Sequence, residues 1–280
     1  MPDLAQNFVQ LVIPATTGYA LLHAAAEMLL VPLLDARRVA ALSVGDRIDL
    51  GEKLSSTLHS LHVGIGALWL LLAKDGPWSN DTLHPYPDSA RHLLADHAGY
   101  TLYDLLVMLA KPRESGSMWA HHLLGAAGAL AMLYYKQAAY FPVAFLATEL
   151  TVPVVNALWM FDRFGGGNRR SRLVLVGLRA LAYVLFRLLA GPLISVYAIK
   201  HHQPLPGMVA NSTMELPATR TFASARWQSF WAAFCLFPMP VWLGCTFNLV
   251  VFSGLNVLWT HAAMRAFLRE LGRGRHGKRH

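Results

Sequence analysis

Residues 118–156 read MWAHHLLGAAGALAMLYYKQAAYFPVAFLATELTVPVVN and set the main constraint on this chain. The stretch is apolar enough to cross a bilayer twice, at roughly 20 residues per ~30 Å hydrocarbon core. It nevertheless carries His121, His122 and Glu149. An ionisable group at membrane depth costs a few kcal/mol or more, so such groups turn toward a protein interior or a cavity and find partners there. The fold must present apolar surface to lipid and still offer these side chains a polar inside.

The rest of the chain repeats the pattern. Only 14% of its 280 residues are charged, against about 25% in soluble domains. Apolar runs predict an all-α, polytopic transmembrane bundle of about seven spans, with six to eight compatible, enclosing a lipid-accessible cavity. The spans fall at about 8–31, 56–74, 93–110, 118–138, 140–161, 172–198 and 239–261. The third is the least apolar, because Asp96, His97 and Asp104 interrupt it. Pro142 and Pro153 are expected to bend the fifth. The run 227–264 is too long for one straight helix; Pro238, Pro240, Gly244 and Gly254 are expected to break it, leaving an interfacial piece first. Residues 32–55 read as a polar loop, Gly165–Gly167 as part of a turn, and the tail from Arg265 as basic and mobile. The domain reading is an anchor span and cytosolic loop over 1–49, a core domain over 50–264 and the tail over 265–280. The first span exceeds a signal-peptide core and lacks a basic flank, which predicts an uncleaved anchor. Cys235 and Cys245 give no zinc or disulfide pattern and read as packing residues.

Basic residues fix the expected orientation. With seven spans, Lys74, Arg91, Lys136, Lys200, Arg220 and Arg226 share the N-terminal side, and sixteen other Lys and Arg lie opposite. The positive-inside rule then puts the N-terminus in the lumen and the C-terminus in the cytosol. The sequons at Asn80 and Asn211 both fall on the lumenal side. The net charge of +8 suits an anionic membrane surface and no nucleic acid.

Adjacent His121 and His122 point about 100° apart on a helix. One is expected to face the bundle interior while the other orients it, or both are core histidines at a tight helix contact. Gly125 and Gly128 follow on a small-residue face that admits a close helix or a lipid chain. His59 and His62, at i and i+3, share a face. They suit interhelical hydrogen bonds better than a metal, for which no matching second pair exists. Asp104 and Glu149 lie mid-span and each could hold a histidine in one tautomer. Arg179, Tyr183 and Arg187 fall roughly on one face. The two guanidinium groups could bind a phosphate or lipid head group, pair with Asp104 or Glu149, or snorkel to an interface.

Four blocks taken in order resemble the TLC-domain family. They are Lys53-x-x-Ser56-x-x-His59-Ser60, Gly99-Tyr100-x-x-Tyr103-Asp104, His121-His122, and Glu149 followed by Pro153 and Asn156. The resemblance covers about residues 50–264 and includes the ceramide synthases. These are acyltransferases of the endoplasmic reticulum that join an acyl group from acyl-CoA to a sphingoid amine. It implies an endoplasmic reticulum membrane protein of lipid metabolism. Membrane lipids and long-chain acyl-CoA would be its partners, a homodimer its assembly, and no bound cofactor or metal would be needed. His121 and His122, with Glu149 and Asp104, would be catalytic. His59, His62, Tyr100, Arg179, Arg187 and Asn156 would bind lipid or phosphate. The region after the histidines offers Glu149 alone where synthases carry more than one aspartate. No segment matches the homeobox-like insertion of many synthases. The chain therefore looks more like the non-synthase branch, whose members bind lipid, set membrane lipid composition or serve as trafficking receptors.

Overall fold

The computed structural model describes residues 2–30, 34, 36–111, 114–164, 168–203 and 222–276. The Gly165–Gly167 turn, the Asn211 sequon and residues 277–280 lie outside the described residues. Every described regular element is helical. Helix α1 runs through Pro2–Asn7, a π-helical turn at Phe8–Val12 and Ile13–Leu30; a short α2 (Ala36–Ala40) follows. Then come α3 (Val44–Leu72), α4 (Asp88–Ala110) and α5 (Gly116–Tyr135). Helix α6 comprises Tyr140–Leu146, a 3₁₀ segment Ala147–Thr151 and Val152–Phe164. Helix α7 comprises Arg169–Ala182, a π-helical segment Tyr183–Leu188 and Ala190–Lys200. The chain closes with α8 (Phe222–Phe234) and α9 (Met239–His276).

Local chemistry explains the boundaries. The Ser43 hydroxyl accepts from Asp46 N and starts α3 a full twelve residues before the apolar run at 56, so part of the expected loop is helix. Ser115 caps α5 in the same way, and the Asn168 side chain accepts from Arg170 N and Ser171 N to open α7. Helix α5 ends on Lys136, in the left-handed region at φ 54°. Of the expected breakers between 227 and 264, only the prolines act. The chain turns between Phe234 and Met239, whereas Gly244 and Gly254 sit inside α9. Helix α9 also continues to His276, so the tail expected from Arg265 is helical there and the 264/265 boundary falls within one helix. Its late turns are tied down by Arg172, which bonds both Asp162 and Glu270. Cys245 is buried, as expected of a packing residue, but Cys235 is exposed.

Six helices close into a ring in which α3 packs on α4, α4 on α5, α5 on α9, α9 on α7, α7 on α6 and α6 back on α3. Helix α1 lies outside, against α3 and α4. The outer surface is apolar, unlike that of a water-soluble domain, and the interior combines an apolar core around Val63, Leu94, Leu133 and Val143 with a set of buried polar side chains. Large apolar side chains such as Leu21, Ile65, Trp69, Leu106, Leu193 and Val250 point outward. Ser55, His59, Asp104, His122, Glu149, Asn156 and Arg187 are buried. An apolar outside, with the ionisable groups turned inward, is the arrangement a bilayer demands. Five helices are long and apolar enough to cross a membrane by length and composition: Leu4–Leu30, Val44–Leu72, Tyr140–Phe164, Arg169–Lys200 and Met239–Gly272. The molecule is an all-α, multi-pass membrane protein. Helices α4 and α5 fall short of that measure, and they are the two that carry Asp96, His97, Asp104, His121 and His122 into the ring.

The approach of α1 to α4 depends on Gly99. A Cβ there would meet Ala15 Cβ at 2.5 Å and the Val12 carbonyl oxygen at 2.7 Å. The Thr16 hydroxyl donates to the Gly99 carbonyl at 3.0 Å. Because a backbone carbonyl cannot rotate away, Gly99→Ala is expected to cost about 1–3 kcal/mol. Gly244→Ala, where nothing lies within 4 Å, is expected to be neutral or mildly stabilising. Thermal melting of the two variants in one detergent checks the difference.

Candidate functional site

Each sequence block that pointed to the site has a structural reason. Asn156 Nδ2 donates to the Lys53 carbonyl at 3.1 Å, Ser56 Oγ at 2.8 Å and Thr57 Oγ1 at 2.8 Å, which ties α6 to α3. Tyr100 stacks on His59 with ring centroids 3.9 Å apart. Tyr103 holds His23 of α1 at 2.6 Å. Pro153 cannot donate back to Glu149, so the Glu149 carbonyl accepts from Val152 N in a 3₁₀ turn. That tightened segment buries Thr148, Glu149 and Thr151 together.

Two carboxylate–histidine contacts lie inside the ring. His122 Nε2 is 3.0 Å from Asp104 Oδ2, with both side chains buried. His121 Nε2 is 3.9 Å from Glu149 Oε1, a gap that a water or a ligand group can bridge. Among the described residues, His121 Nδ1 is buried with no hydrogen-bond partner. The two rings meet edge to face, 77° apart. Both histidines border the same cavity, because it is wide enough to take rings that diverge.

Two cavities, here called lobes, share part of one wall. The polar lobe, ≈ 210 Å³, is lined by Glu52, Lys53, Ser56, Asp104, His122 and Asn156 among others. The apolar lobe, ≈ 280 Å³, runs between α5, α6 and α9 past Leu124, Gly128, Met132, Phe145, Gly244 and Phe252. His97, His121, Gly125, Glu149 and Arg187 border both lobes and form the ring where they meet. Gly125 and Gly128 let side chains of neighbouring helices close on α5: a Cβ at Gly125 would sit 3.3 Å from His97 Nε2, and one at Gly128 would sit 2.8 Å from Asn248 Nδ2.

Other residues separate from this junction. Tyr100 lines the polar lobe. His59 is buried behind the wall, and His62 is exposed with its Nδ1 3.5 Å from Asp96. His59 belongs to a hydrogen-bonded layer, His62 approaches its Asp96 from the surface, and neither lines a lobe. Arg187 is buried at the junction, but Arg179 does not border either lobe. The π-helical turn at Tyr183–Leu188 begins between the two arginines and includes Arg187. Among the described residues, no group of three or more His, Cys, Asp and Glu side chains could hold a metal.

The layer behind the wall was not apparent from the sequence. The Tyr19 hydroxyl donates to Asp96 Oδ2 at 2.9 Å, His59 Nδ1 lies 3.1 Å from the same oxygen, and His59 Nε2 lies 3.2 Å from His97 Nδ1. With a carboxylate at one end, His59 donates through Nδ1, its Nε2 accepts from His97 Nδ1–H, and the His97 Nε2 lone pair faces Gly125 at the lobe junction. His97, Tyr100, Thr101 and Asp104 fall at i, i+3, i+4 and i+7, a polar face that could have been read from spacing. Tyr19 and Asp96 lie 77 residues apart and gave no such signal.

Losing one member of a buried ionisable pair strands the other. Asp104→Leu alone is expected to destabilise the protein by about 3–5 kcal/mol. Adding His122→Leu is expected to recover most of that loss. Chemical or thermal unfolding of the two single variants and the double variant measures the coupling.

Comparison with known proteins agrees with this picture. The TLC domain family matches residues 49–265. The chain is 32% identical over 147 residues to TLC domain-containing protein 4 of Xenopus tropicalis, covering 52% of this chain and 56% of that protein. It is 29% identical over 140 residues to TLC domain-containing protein 4-B of Danio rerio, covering 49% and 52%. It is 30% identical over 124 residues to the human TLC domain-containing protein 4, covering 44% and 47%. The chain thus spans about half the length of the curated relatives it matches. No solved structure matches it. The chain belongs to the TLC-domain family, on the non-synthase side where it matches the TLC domain-containing protein 4 group.

Proposed function

We propose that this protein binds a membrane lipid within its helical ring and acts in membrane lipid metabolism or composition. The observation that carries the reading is the pair of lobes of opposite polarity inside a membrane bundle. An acyl chain would lie in the apolar lobe among Leu124, Met132, Phe145 and Phe252, and its polar end would reach His97, His121, Glu149 and Arg187. Apolar pockets with a few convergent polar groups are the usual form of a small-molecule site. Match to the TLC domain-containing protein 4 group, and Glu149 standing alone where synthases carry several acids, favour binding over synthesis.

A second reading, acyl transfer, is supported by the buried His122–Asp104 contact beside His121. In that scheme a histidine nitrogen attacks the thioester carbonyl of an acyl-CoA. The C–N bond forms as the C–S bond breaks, and the thiolate leaves with the imidazolium proton. An amine then displaces the imidazole and passes its proton back to it. Mass spectrometry of purified protein separates the readings. Lipid binding is expected to show one co-purifying lipid per chain, lost on filling the apolar lobe with Ala131→Phe, and no adduct after incubation with a long-chain acyl-CoA. An acyl adduct that disappears in His121→Ala or His122→Ala would establish transfer. Absence of both lipid and adduct would overturn the two together.

We also place the chain in the endoplasmic reticulum membrane with seven spans, α1, α3 to α7 and α9, its N-terminus lumenal. The side assigned to the cytosol carries Lys111–Asp49, Arg163–Asp46 and Arg47–Glu27 pairs. The opposite α3–α4 loop exposes Asn80. Asn80→Gln is expected to remove one glycan from protein made with microsomes. Wild-type protein left unmodified at Asn80 would contradict the orientation.

A further inference from the structure

Arg187 poses a problem of charge. It lies near the middle of α7, is 6% exposed, and among the described residues has no carboxylate within 4 Å. Its partners are neutral: Nε donates to Thr151 Oγ1 at 2.8 Å and Nη1 to Asn256 Oδ1 at 3.4 Å. The guanidinium also sits over the Tyr183 and Trp259 rings, at 5.2 and 5.0 Å from their centroids. Aromatic faces and neutral acceptors offset part of the desolvation of a cation but do not neutralise it. The other ionisable groups of the polar lobe are differently placed. Glu52 is taken by Lys53, Asp104 faces His122, and Glu149 faces His121 across 3.9 Å. Arg187 is therefore a buried cation without an anionic partner among the described residues, on the wall shared by an apolar lobe and a polar one, and with Nε and one Nη1 hydrogen engaged the Nη1–Nη2 edge is the fork left for a ligand.

We infer that Arg187 is the anchor for the anionic group of a single-chain lipid, a carboxylate or a phosphate monoester, whose chain fills the apolar lobe. The inference rests on the lipid-binding reading above and adds the charge of the ligand. A guanidinium fork binds the two oxygens of a carboxylate or phosphate side by side. The rings of Tyr183 and Trp259 and the bonds to Thr151 and Asn256 fix its plane in advance. Glu149 and His97 line the same two lobes, so a hydroxyl or amine next to the anionic group would find acceptors there. Each lobe is small against the ~300–1,000 Å³ of typical ligand sites, which favours one chain over two.

The test is competitive binding to the full chain in nanodiscs, with palmitate, methyl palmitate and palmitoyl lysophosphatidate as the probes. Methyl palmitate keeps the chain and the carbonyl and loses only the charge. Wild-type protein is expected to prefer palmitate, lysophosphatidate or both over the ester by roughly tenfold or more, as a hydrogen-bonded charge warrants. Whichever anion wins identifies the head group. Arg187→Gln is expected to abolish that preference while leaving ester binding within about twofold, and Arg187→Lys to retain only part of it. Equal binding of acid and ester by wild-type protein would overturn the anchor and leave the lipid cavity standing, and this comparison needs no variant to fold. Failure of all three probes to bind wild-type protein would overturn the lipid-binding reading, and the anchor with it.

Discussion

Everything in this fold follows from the need to partner ionisable side chains where no water reaches them. Lipid on the outside cannot hydrogen-bond, so each polar group on α3 to α7 must find its partner across the ring. The contacts of Asp104 with His122, of Asp96 with Tyr19 and His59, and of Arg187 with Thr151 and Asn256 are also what joins neighbouring helices. Between helices in a bilayer there is little hydrophobic driving force, because lipid tails are as apolar as leucine. Polar pairing and close packing at Gly64 and Gly99 do that work instead.

The same demand creates the cavity. The buried polar side chains gather at one part of the ring, and the missing side chains of Gly125 and Gly128 let His97 and Asn248 reach the cavity wall there. The 3₁₀ turn forced by Pro153 and the π turn at Tyr183–Leu188 then aim Glu149 and Arg187 at one point. Departures from regular α-helix at functional positions are a recurrent feature of helical proteins, and here both occur beside the lobe junction. The geometry brings acidic, basic and imidazole groups to the end of an apolar slot, which is the form of a site for an amphiphile.

Much of this was legible from residue order. Apolar run lengths locate the helices, and the conflict between those runs and His121, His122, Asp104 and Glu149 singles out the interior. Ring order and partner choice were not legible, because they rest on contacts such as Tyr19 with Asp96 and Asn156 with Ser56, 77 and 100 residues apart. Spacing placed Arg179 with Arg187, but only Arg187 lines the lobes, because reach into the ring depends on position along α7 as well as on helix face. Spacing suggested interhelical hydrogen bonding for His59, which it makes with Asp96 and His97, and only the family resemblance gave it a ligand-binding role. Its place behind His97 depends on how closely α3 meets α4, which no local pattern records. The helical end of α9 was hidden by its charge, since Arg172 and Glu270 pair only once α7 and α9 are side by side.

The most direct measurement of the central claim is a high-resolution cryo-electron microscopy map of the protein in a lipid nanodisc. This account predicts elongated density through the apolar lobe between α5 and α9, ending in a polar feature against Arg187, His121 and Glu149. Density for bulk water throughout both lobes, or α5 and α9 side chains packed together with no space between them, would contradict it.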